Sequence, residues 1–193
     1  MKRLLIALLF TAASAIAAEN SGVHINTVKT EALASPLFQN EEGDDTIQIS
    51  GMELDKPGSK EWLRISAEYE TRAEWTDRLT LEFYVLLQRP NRSPTLFKGV
   101  VQYVDIPRDR KHLAEMYMHF NSYARHAGRG KIRAAVIAKV AGKTVAIDKQ
   151  NSLDDKWWET MPTHPVELLS RLQTPFAIVN TDRYEAQVPV GGK

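Results

Sequence analysis

Residues 79–87 read LTLEFYVLL, and the alternation in this stretch decides the fold. Its odd-numbered positions are all apolar, whereas Thr80 and Glu82 stand between them. Because successive side chains of a strand point to opposite faces, this pattern predicts a strand with one face in a core. Residues 62–69, WLRISAEY, repeat the pattern with Arg64 on the polar side.

Five further stretches favour strands, since they are short, rich in β-branched residues or bounded by turn residues. These are His24–Glu31, Thr46–Leu54, Phe97–Ile106, Lys131–Val140 and 143–149. The dipeptide Ala141-Gly142 separates the last two and predicts a hairpin turn. Strands at such short intervals predict a mainly β protein, an antiparallel β-sandwich of about seven to nine strands with one or two short helices.

One stretch, Arg110–Ala127, fits two structures. Its apolar side chains recur at helical spacing, and Gly128 is placed to cap a helix that ends at Ala127. Residues 113–120 also alternate as a strand would. Local spacing favours the helix, but the many neighbouring strands favour a strand to about His119 followed by a helical turn. We adopt the second interpretation.

The two ends of the chain differ from its middle. We divide the chain into a cleaved signal peptide (1–18), an N-terminal strand with an acidic loop (19–45), the sandwich core (46–150) and a C-terminal segment (151–193) that packs on or extends the sandwich. In the C-terminal segment, Pro165–Leu172 predicts a short amphipathic helix, because proline is favoured at the first helical position.

The first 18 residues predict export. Lys2 and Arg3 precede the apolar run LLIALLF, and the small residues TAASAIAA follow it. This order is that of a secretory signal peptide, cut after Ala17 or Ala18. The apolar run is well short of the roughly 20 residues that span a bilayer, so we expect no integral membrane segment in the mature chain. The expected location is the periplasm or the outer surface of a Gram-negative bacterium.

Composition narrows the classes of function. The chain has 25 Lys and Arg against 24 Asp and Glu, so no overall field attracts nucleic acid or an anionic surface. It has no cysteine, which excludes disulfides, thiolate metal sites, a cysteine nucleophile and a lipoprotein anchor. Stability must then come from a packed core. We expect no nucleic-acid partner and no cofactor.

No catalytic motif stands out. His112, His119 and His126 recur every seven residues, but no carboxylate pattern of the His-Glu-x-x-His kind accompanies them. No serine lies in a Gly-x-Ser-x-Gly or Ser-x-x-Lys motif, although a triad whose members are far apart in the chain stays open. We therefore predict no catalytic, cofactor-binding or metal-binding residues, and a protein that is not an enzyme.

Binding residues are better candidates. Trp157 and Trp158 are adjacent, so in an extended segment one would pack under the sandwich and the other would lie on its surface, where aromatic side chains bind sugars or proteins. Trp62 and Trp75 lie close to clean strands and are expected in the core. A basic cluster, interpreted first as a solvated turn, is a second candidate for contact with an acidic partner. Its members are Arg108, Arg110 and Lys111.

About half of the mature chain resembles a known family. The matching pieces are EWLRI (61–65), AEWTD (73–77), VQYVDIPRDRKHLAEMYM (101–118) and AVIAKVAGKTVA (135–146). They are similar to small exported immunoglobulin-like proteins of Verrucomicrobia, which are associated with type IV pilus-like gene clusters. The resemblance implies an immunoglobulin-like β-sandwich without catalysis and a part in pilus assembly or surface presentation. It also favours a strand at 111–118, and it transfers no binding residue.

Two functions follow as expectations. The leading one is a non-enzymatic exported protein-interaction module, part of or accessory to a pilus-like or secretion assembly at the cell envelope. Its edge strand could pair with a partner strand through backbone hydrogen bonds. The alternative is a carbohydrate-binding module that uses exposed tryptophans to bind host or envelope glycan. That alternative requires Trp157 or Trp158 to be accessible to solvent.

Overall fold

The computed structural model shows an antiparallel, mainly β protein, so the predicted fold class is confirmed. It describes residues 22–36, 38–39, 48–49, 60–127, 130–150, 156–179 and 183–190. The five longer strands are β1 (Val23–Ala34), β4 (Glu61–Gln88), β5 (Thr95–Met118), β6 (Lys131–Val140) and β7 (Lys143–Lys149). The short elements are β2 (Phe38–Gln39), β3 (Gln48–Ile49), β8 (Leu169–Ser170), β9 (Gln187–Val188) and the helix α1 (Phe120–His126). The predicted signal peptide and the acidic loop at 40–45 lie outside the described residues.

Seven of these strands form one sheet. Its order is β7-β6-β4-β5-β8, with β1 paired to β4 and β9 paired to β5. The strands β2 and β3 pair with each other separately. The predicted strand Thr46–Leu54 is therefore described only at Gln48–Ile49, and the predicted strand His24–Glu31 is confirmed within β1.

The strands β4 and β5 are longer than the sequence pattern predicts. The runs 62–69 and 79–87 belong to a single strand of 28 residues. In the same way, β5 joins Phe97–Ile106 to the strand predicted beyond it. Residues 70–78 contain neither glycine nor proline, so nothing there ends the strand. Register shifts between β4 and β5 bend the strands instead.

The bend lets two parts of one sheet enclose the core. The strand β1 lies on the first half of β4 and packs against β6 and β7, which extend from its second half. The core is thus built by one folded sheet rather than by two separate sheets. The predicted inward positions of β4 are all buried in it. They are Leu63, Ile65, Ala67, Tyr69, Leu79, Leu81, Phe83, Val85 and Leu87.

Two local predictions are confirmed. The stretch Arg110–Ala127 is a strand to Met118 followed by the helix α1. The strands β6 and β7 form the predicted hairpin. In its turn, Ala141 has a φ of 49° and Gly142 a φ of 76°, and positive φ at both central residues is what a type I′ turn requires.

The two adjacent tryptophans pack on the outer face of the sheet. A 3-10 helix, Trp157–Glu159, places both indoles against outward-facing residues of β4 and β6, among them Tyr84 and Ile137. Trp157 is 8% exposed and Trp158 is 5% exposed. The expectation that one of them lies on the surface is wrong, because a short helix turns both side chains toward the same sheet face. Neither indole offers an exposed platform for a sugar.

The predicted helix at Pro165–Leu172 is also wrong. The backbone N–H of Leu168 donates to the carbonyl oxygen of Lys98 (2.9 Å), and β8 pairs with β5. These sheet bonds replace the bonds that a helix would make. Gly99 permits the close approach, since a Cβ there would lie 2.6 Å from the Leu168 Cβ. Tertiary pairing therefore outweighs the local helical pattern.

Candidate binding surface at the bend of the sheet

The bend in β4 and β5 exposes a short piece of strand. Thr71 pairs with Asp109 and Trp75 pairs with Pro107, so three residues of β4 stand opposite the single residue Arg108 of β5. Extra residues on one strand leave backbone unpaired and sharpen its twist. Pro107 fits at this place because proline within a sheet is tolerated at bulges. The local structure therefore turns side chains outward that regular alternation would turn inward.

The main consequence of the bend is that the side chain of Trp75 is exposed to solvent. It is 60% exposed, the highest value among the large apolar side chains of the described residues. The expectation of a core position is confirmed for Trp62 and wrong for Trp75. Polar residues flank Trp75 closely on both sides in the sequence, Glu74 and Thr76 among them. That interruption between two alternating runs is the signal by which the sequence could have indicated exposure.

Charged side chains lie next to Trp75 along both strands. Residues of the bend line an open depression of about 870 Å³. They are Glu70, Thr71, Arg72, Arg108 and Asp109. Arg108 Nε donates to the Arg72 carbonyl oxygen at 2.7 Å, and the Arg72 guanidinium lies 3.7 Å from a carboxylate oxygen of Glu70. The depression therefore offers both signs of charge at the bend that also carries Trp75.

The predicted binding residues separate into two places. Arg108 lines the depression, and Lys111 lies exposed on β5, three residues further along. Nothing is described of the side chain of Arg110. Trp157 and Trp158 pack instead on the outer face of the sheet, with the cluster that contains Tyr84. Arg108 thus lies at the same bend as Trp75, because Pro107, the register partner of Trp75, precedes it in β5.

A buried hydrogen-bond network lies beneath the depression. Thr71 Oγ1 is 3.0 Å from His112 Nε2, and His112 Nδ1 is 2.9 Å from Glu185 Oε1. The His112 ring stacks on Tyr69, with ring centroids 5.0 Å apart. Glu185 comes from the C-terminal segment, so this network ties the segment to the bend. A hydroxyl, an imidazole and a carboxylate in this order also have the connectivity of a hydrolase triad.

The direction of the hydrogen bond made by the Thr71 hydroxyl distinguishes a structural role of this network from a catalytic one. The hydroxyl of Thr71 donates to the Pro107 carbonyl oxygen at 2.7 Å, so its proton points away from the imidazole. Thr71 Oγ1 also accepts from the backbone N–H of Asp109 at 3.3 Å. A general base must instead accept the proton of the hydroxyl. This arrangement holds the bulge in place.

Metal ligands are not grouped in the part of the chain that the structure describes. No set of three or more His, Asp or Glu residues there is arranged to hold a metal ion. The described residues likewise include no helix long and apolar enough to cross a membrane.

The fold and the bend define a small antiparallel β protein with an aromatic and charged surface patch. A family model matches residues 14–189, which is most of the chain, and the chain belongs to that family. Among solved structures, it is similar to the crystal structure of a protein from Akkermansia muciniphila, with a TM-score of 0.57 and 22% sequence identity. That match covers 86% of this chain and 95% of the other, and it shows the fold alone. No curated protein matches the chain.

Proposed function

We propose that the protein is an exported, non-enzymatic protein-interaction module of an immunoglobulin-like kind. In this proposal it serves a pilus-like or secretion assembly at the cell envelope, and its partner docks on Trp75, Arg72 and Arg108. We name these three residues the bend surface. The exposed indole of Trp75 carries the proposal, because tryptophan and arginine are the residue types that contribute most to binding at protein interfaces.

The position of Trp75 supports a docking role. Its backbone lies in a hydrogen-bonded pair of strands, so the indole is presented by a rigid element and little order need be gained on binding. The guanidiniums of Arg72 and Arg108 and the carboxylates of Glu70 and Asp109 line the depression at the same bend and supply charged groups of the kind found at the rim of an interface. The export step of the proposal is supported by residues 1–18 of the sequence.

A carbohydrate-binding module is the second candidate. An exposed indole beside charged and polar side chains is also what stacking on a sugar ring requires. Since Trp157 and Trp158 are buried, Trp75 is the tryptophan that this candidate would use. The two candidates differ in the chemistry of the partner, and one experiment can separate them.

Crosslinking at position 75 tests the proposal. We would place benzoylphenylalanine at Trp75 or, as a control, at Leu172, which is 55% exposed and belongs to the C-terminal segment. Both proteins, as residues 19–193, are irradiated with native envelope. We expect pilin-like or secretion components to be crosslinked from position 75 only. Protease-sensitive products at both positions, or none at either, would contradict the proposal, and recovery of polysaccharide alone at position 75 would favour the second candidate.

The variant Trp75→Ala gives a matching quantitative prediction. We expect affinity for the crosslinked partner to fall at least about tenfold, the scale of an interface hot spot. The free energy of unfolding should change by less than about 0.5 kcal/mol, because the side chain is exposed. Binding is measured by surface plasmon resonance and stability by urea denaturation. Leu172→Ala is the control, and an equal loss of affinity in both variants would contradict the assignment.

A further inference from the structure

Positive side chains meet beyond the end of β4, where the turn to β5 approaches the end of α1. Side chains of the turn and of the helix line a depression of about 320 Å³. They are Arg89, Arg92, Ser93, Thr95, Arg125 and His126. A neighbouring depression of about 620 Å³ shares the turn residues and adds Lys131. We name the first depression the basic pocket.

The fold holds these side chains together through specific contacts. Arg89 Nη1 donates to the Arg125 carbonyl oxygen at 2.9 Å, which joins the turn to the end of the helix. Gly130 closes the gap from the other side, since a Cβ there would lie 2.2 Å from the Gln88 carbonyl oxygen. Only glycine allows the chain to pass so close to the strand. The clustering of charge is therefore built into the backbone path.

Among the residues that the structure describes, no carboxylate forms an ion pair with the charges in the basic pocket. Elsewhere in the sheet, Lys98 and Lys139 both lie within 3.4 Å of the Glu82 carboxylate. Within the described ranges, by contrast, Arg89, Arg92, Arg125 and Lys131 form no ion pair with Asp or Glu. Cations held together repel one another, and an anion that binds among them relieves this repulsion.

His126 lines the basic pocket, and its pKa is affected by the positive charges around it. Its ring packs edge-on against Phe97, with centroids 5.1 Å apart, and lies at the same centroid distance from His164. Burial lowers the pKa of His126, and the positive charges of His164, Arg125, Arg89 and Arg92 lower it further. All four charges act in the same direction, since each disfavours a proton on the imidazole.

We propose that the basic pocket binds a phosphate or sulfate monoester. Guanidinium groups match the oxygens of such an anion in paired hydrogen bonds, and the hydroxyls of Ser93 and Thr95 add donors that a carboxylate would use less fully. The adjoining depression beside Lys131 has room for the group that carries the ester. Binding at this site is independent of the bend surface.

A lipid surface fits the observations less well. Insertion into a membrane interface needs apolar side chains beside the cations. The exposed large apolar residues of the described chain lie elsewhere and none lines the basic pocket. They are Trp75, Ile147, Val166, Leu172, Ile178 and Val190.

The stability of the protein depends on pH through His126, and the lowered pKa of this residue fixes the direction of that dependence. Because the pKa of His126 in the folded chain lies below its ordinary value of 6.5, the unfolded chain binds more protons just below that pH. The contribution of His126 to stability therefore falls as the pH drops through 6.5.

By NMR titration of the full chain, Arg92→Gln should raise the pKa of His126, since one repelling charge is removed. Arg78→Gln, which alters an exposed arginine of β4, should leave it unchanged.

Binding is tested by calorimetry at constant ionic strength, with chloride as the reference anion. The probes are inorganic phosphate, inorganic sulfate, glucose 6-phosphate, galactose 6-sulfate and vesicles that contain phosphatidylglycerol. We expect saturable binding of at least one sugar ester, competition by the corresponding inorganic ion, and a rise in the pKa of His126 on binding. Arg92→Gln should weaken binding about tenfold, the scale of one charged hydrogen bond, and Arg78→Gln should not.

Several results would overturn the proposal. These are the absence of saturable binding to every probe, equal weakening by both arginine variants, and binding only to vesicles that contain phosphatidylglycerol. The last result would assign the charges to a membrane surface instead of a pocket. Arg92 is exposed in a turn, so its replacement should leave folding intact, and urea denaturation of each variant checks this.

Discussion

Arg64→Met is expected to lower the free energy of unfolding by about 3 kcal/mol, because it leaves a carboxylate buried without a cation. That carboxylate is Glu115, which is 1% exposed on the outer face of β5. It accepts hydrogen bonds from the hydroxyls of Tyr117 (2.6 Å) and Tyr184 (2.7 Å) and lies 3.3 Å from Arg64 Nη1. Burial raises the pKa of Tyr184 and Glu115 raises it further, so this hydroxyl stays a donor across the neutral range.

Carboxylates on both neighbouring strands stabilise the positive charge of Arg64. Burial acts to lower the pKa of Arg64, but the carboxylates of Glu115 and Glu31 outweigh it and leave that pKa raised. Urea denaturation of Arg64→Met measures the loss. The double variant Arg64→Met with Glu115→Gln should recover much of it, since the remaining buried group is then neutral.

A matched control comes from an exposed ion pair between β1 and β4. Lys29 and Glu68 are 3.6 Å apart with both side chains exposed, and Lys29→Met should cost less than about 1 kcal/mol. An equal effect of the two methionine variants, or a double variant no more stable than Arg64→Met, would contradict the role given to Glu115.

Trp158→Ala is expected to cost about 3 kcal/mol and to loosen the C-terminal segment from the sheet. The indole fills the outer cluster between β4 and β6, where its ring centroid is 6.4 Å from that of Tyr84. Its removal leaves a cavity that the rigid sheet cannot fill. Urea denaturation measures the loss of stability, and limited proteolysis should show faster cleavage within residues 156–190.

Trp75→Ala is the matched control, because it removes the same side chain from an exposed position. It should leave both stability and the proteolysis pattern close to those of the unaltered chain. Unchanged stability in Trp158→Ala together with lost glycan binding would contradict the packing role and return Trp158 to the binding residues.

The sequence predicted most strands but not how they join. Alternation at 62–69 and 79–87 correctly predicted that both stretches are extended strand. Residues 70–78 do not alternate clearly, so the sequence did not show that β4 continues through them. The predicted C-terminal helix was wrong for a related reason, since the backbone N–H of Leu168 donates to Lys98 of β5 and Leu169–Ser170 pairs with the same strand. Periodicity reports local conformation, whereas pairing depends on a partner distant in the chain.

The two candidate binding sites were harder to predict from the sequence than the strands were. Arg108 was named correctly as a surface residue, but its neighbour Trp75 was assigned to the core, and the basic pocket was missed. Arg125 lies 36 residues after Arg89 in the chain, so no local run of charge marks the three arginines Arg89, Arg92 and Arg125. Only the turn, the helix end and the close passage at Gly130 bring them together.

The amino-acid sequence by itself determined that this chain is mainly antiparallel β, with the inward residues of β4 specified position by position, because side-chain alternation is a property of the strand alone. The tertiary structure decided that two predicted strands are one bent strand, that Trp157 and Trp158 are buried while Trp75 is exposed, and that distant cations share a pocket. Those features depend on what lies opposite each residue, and that is set only when the sheet has folded onto itself.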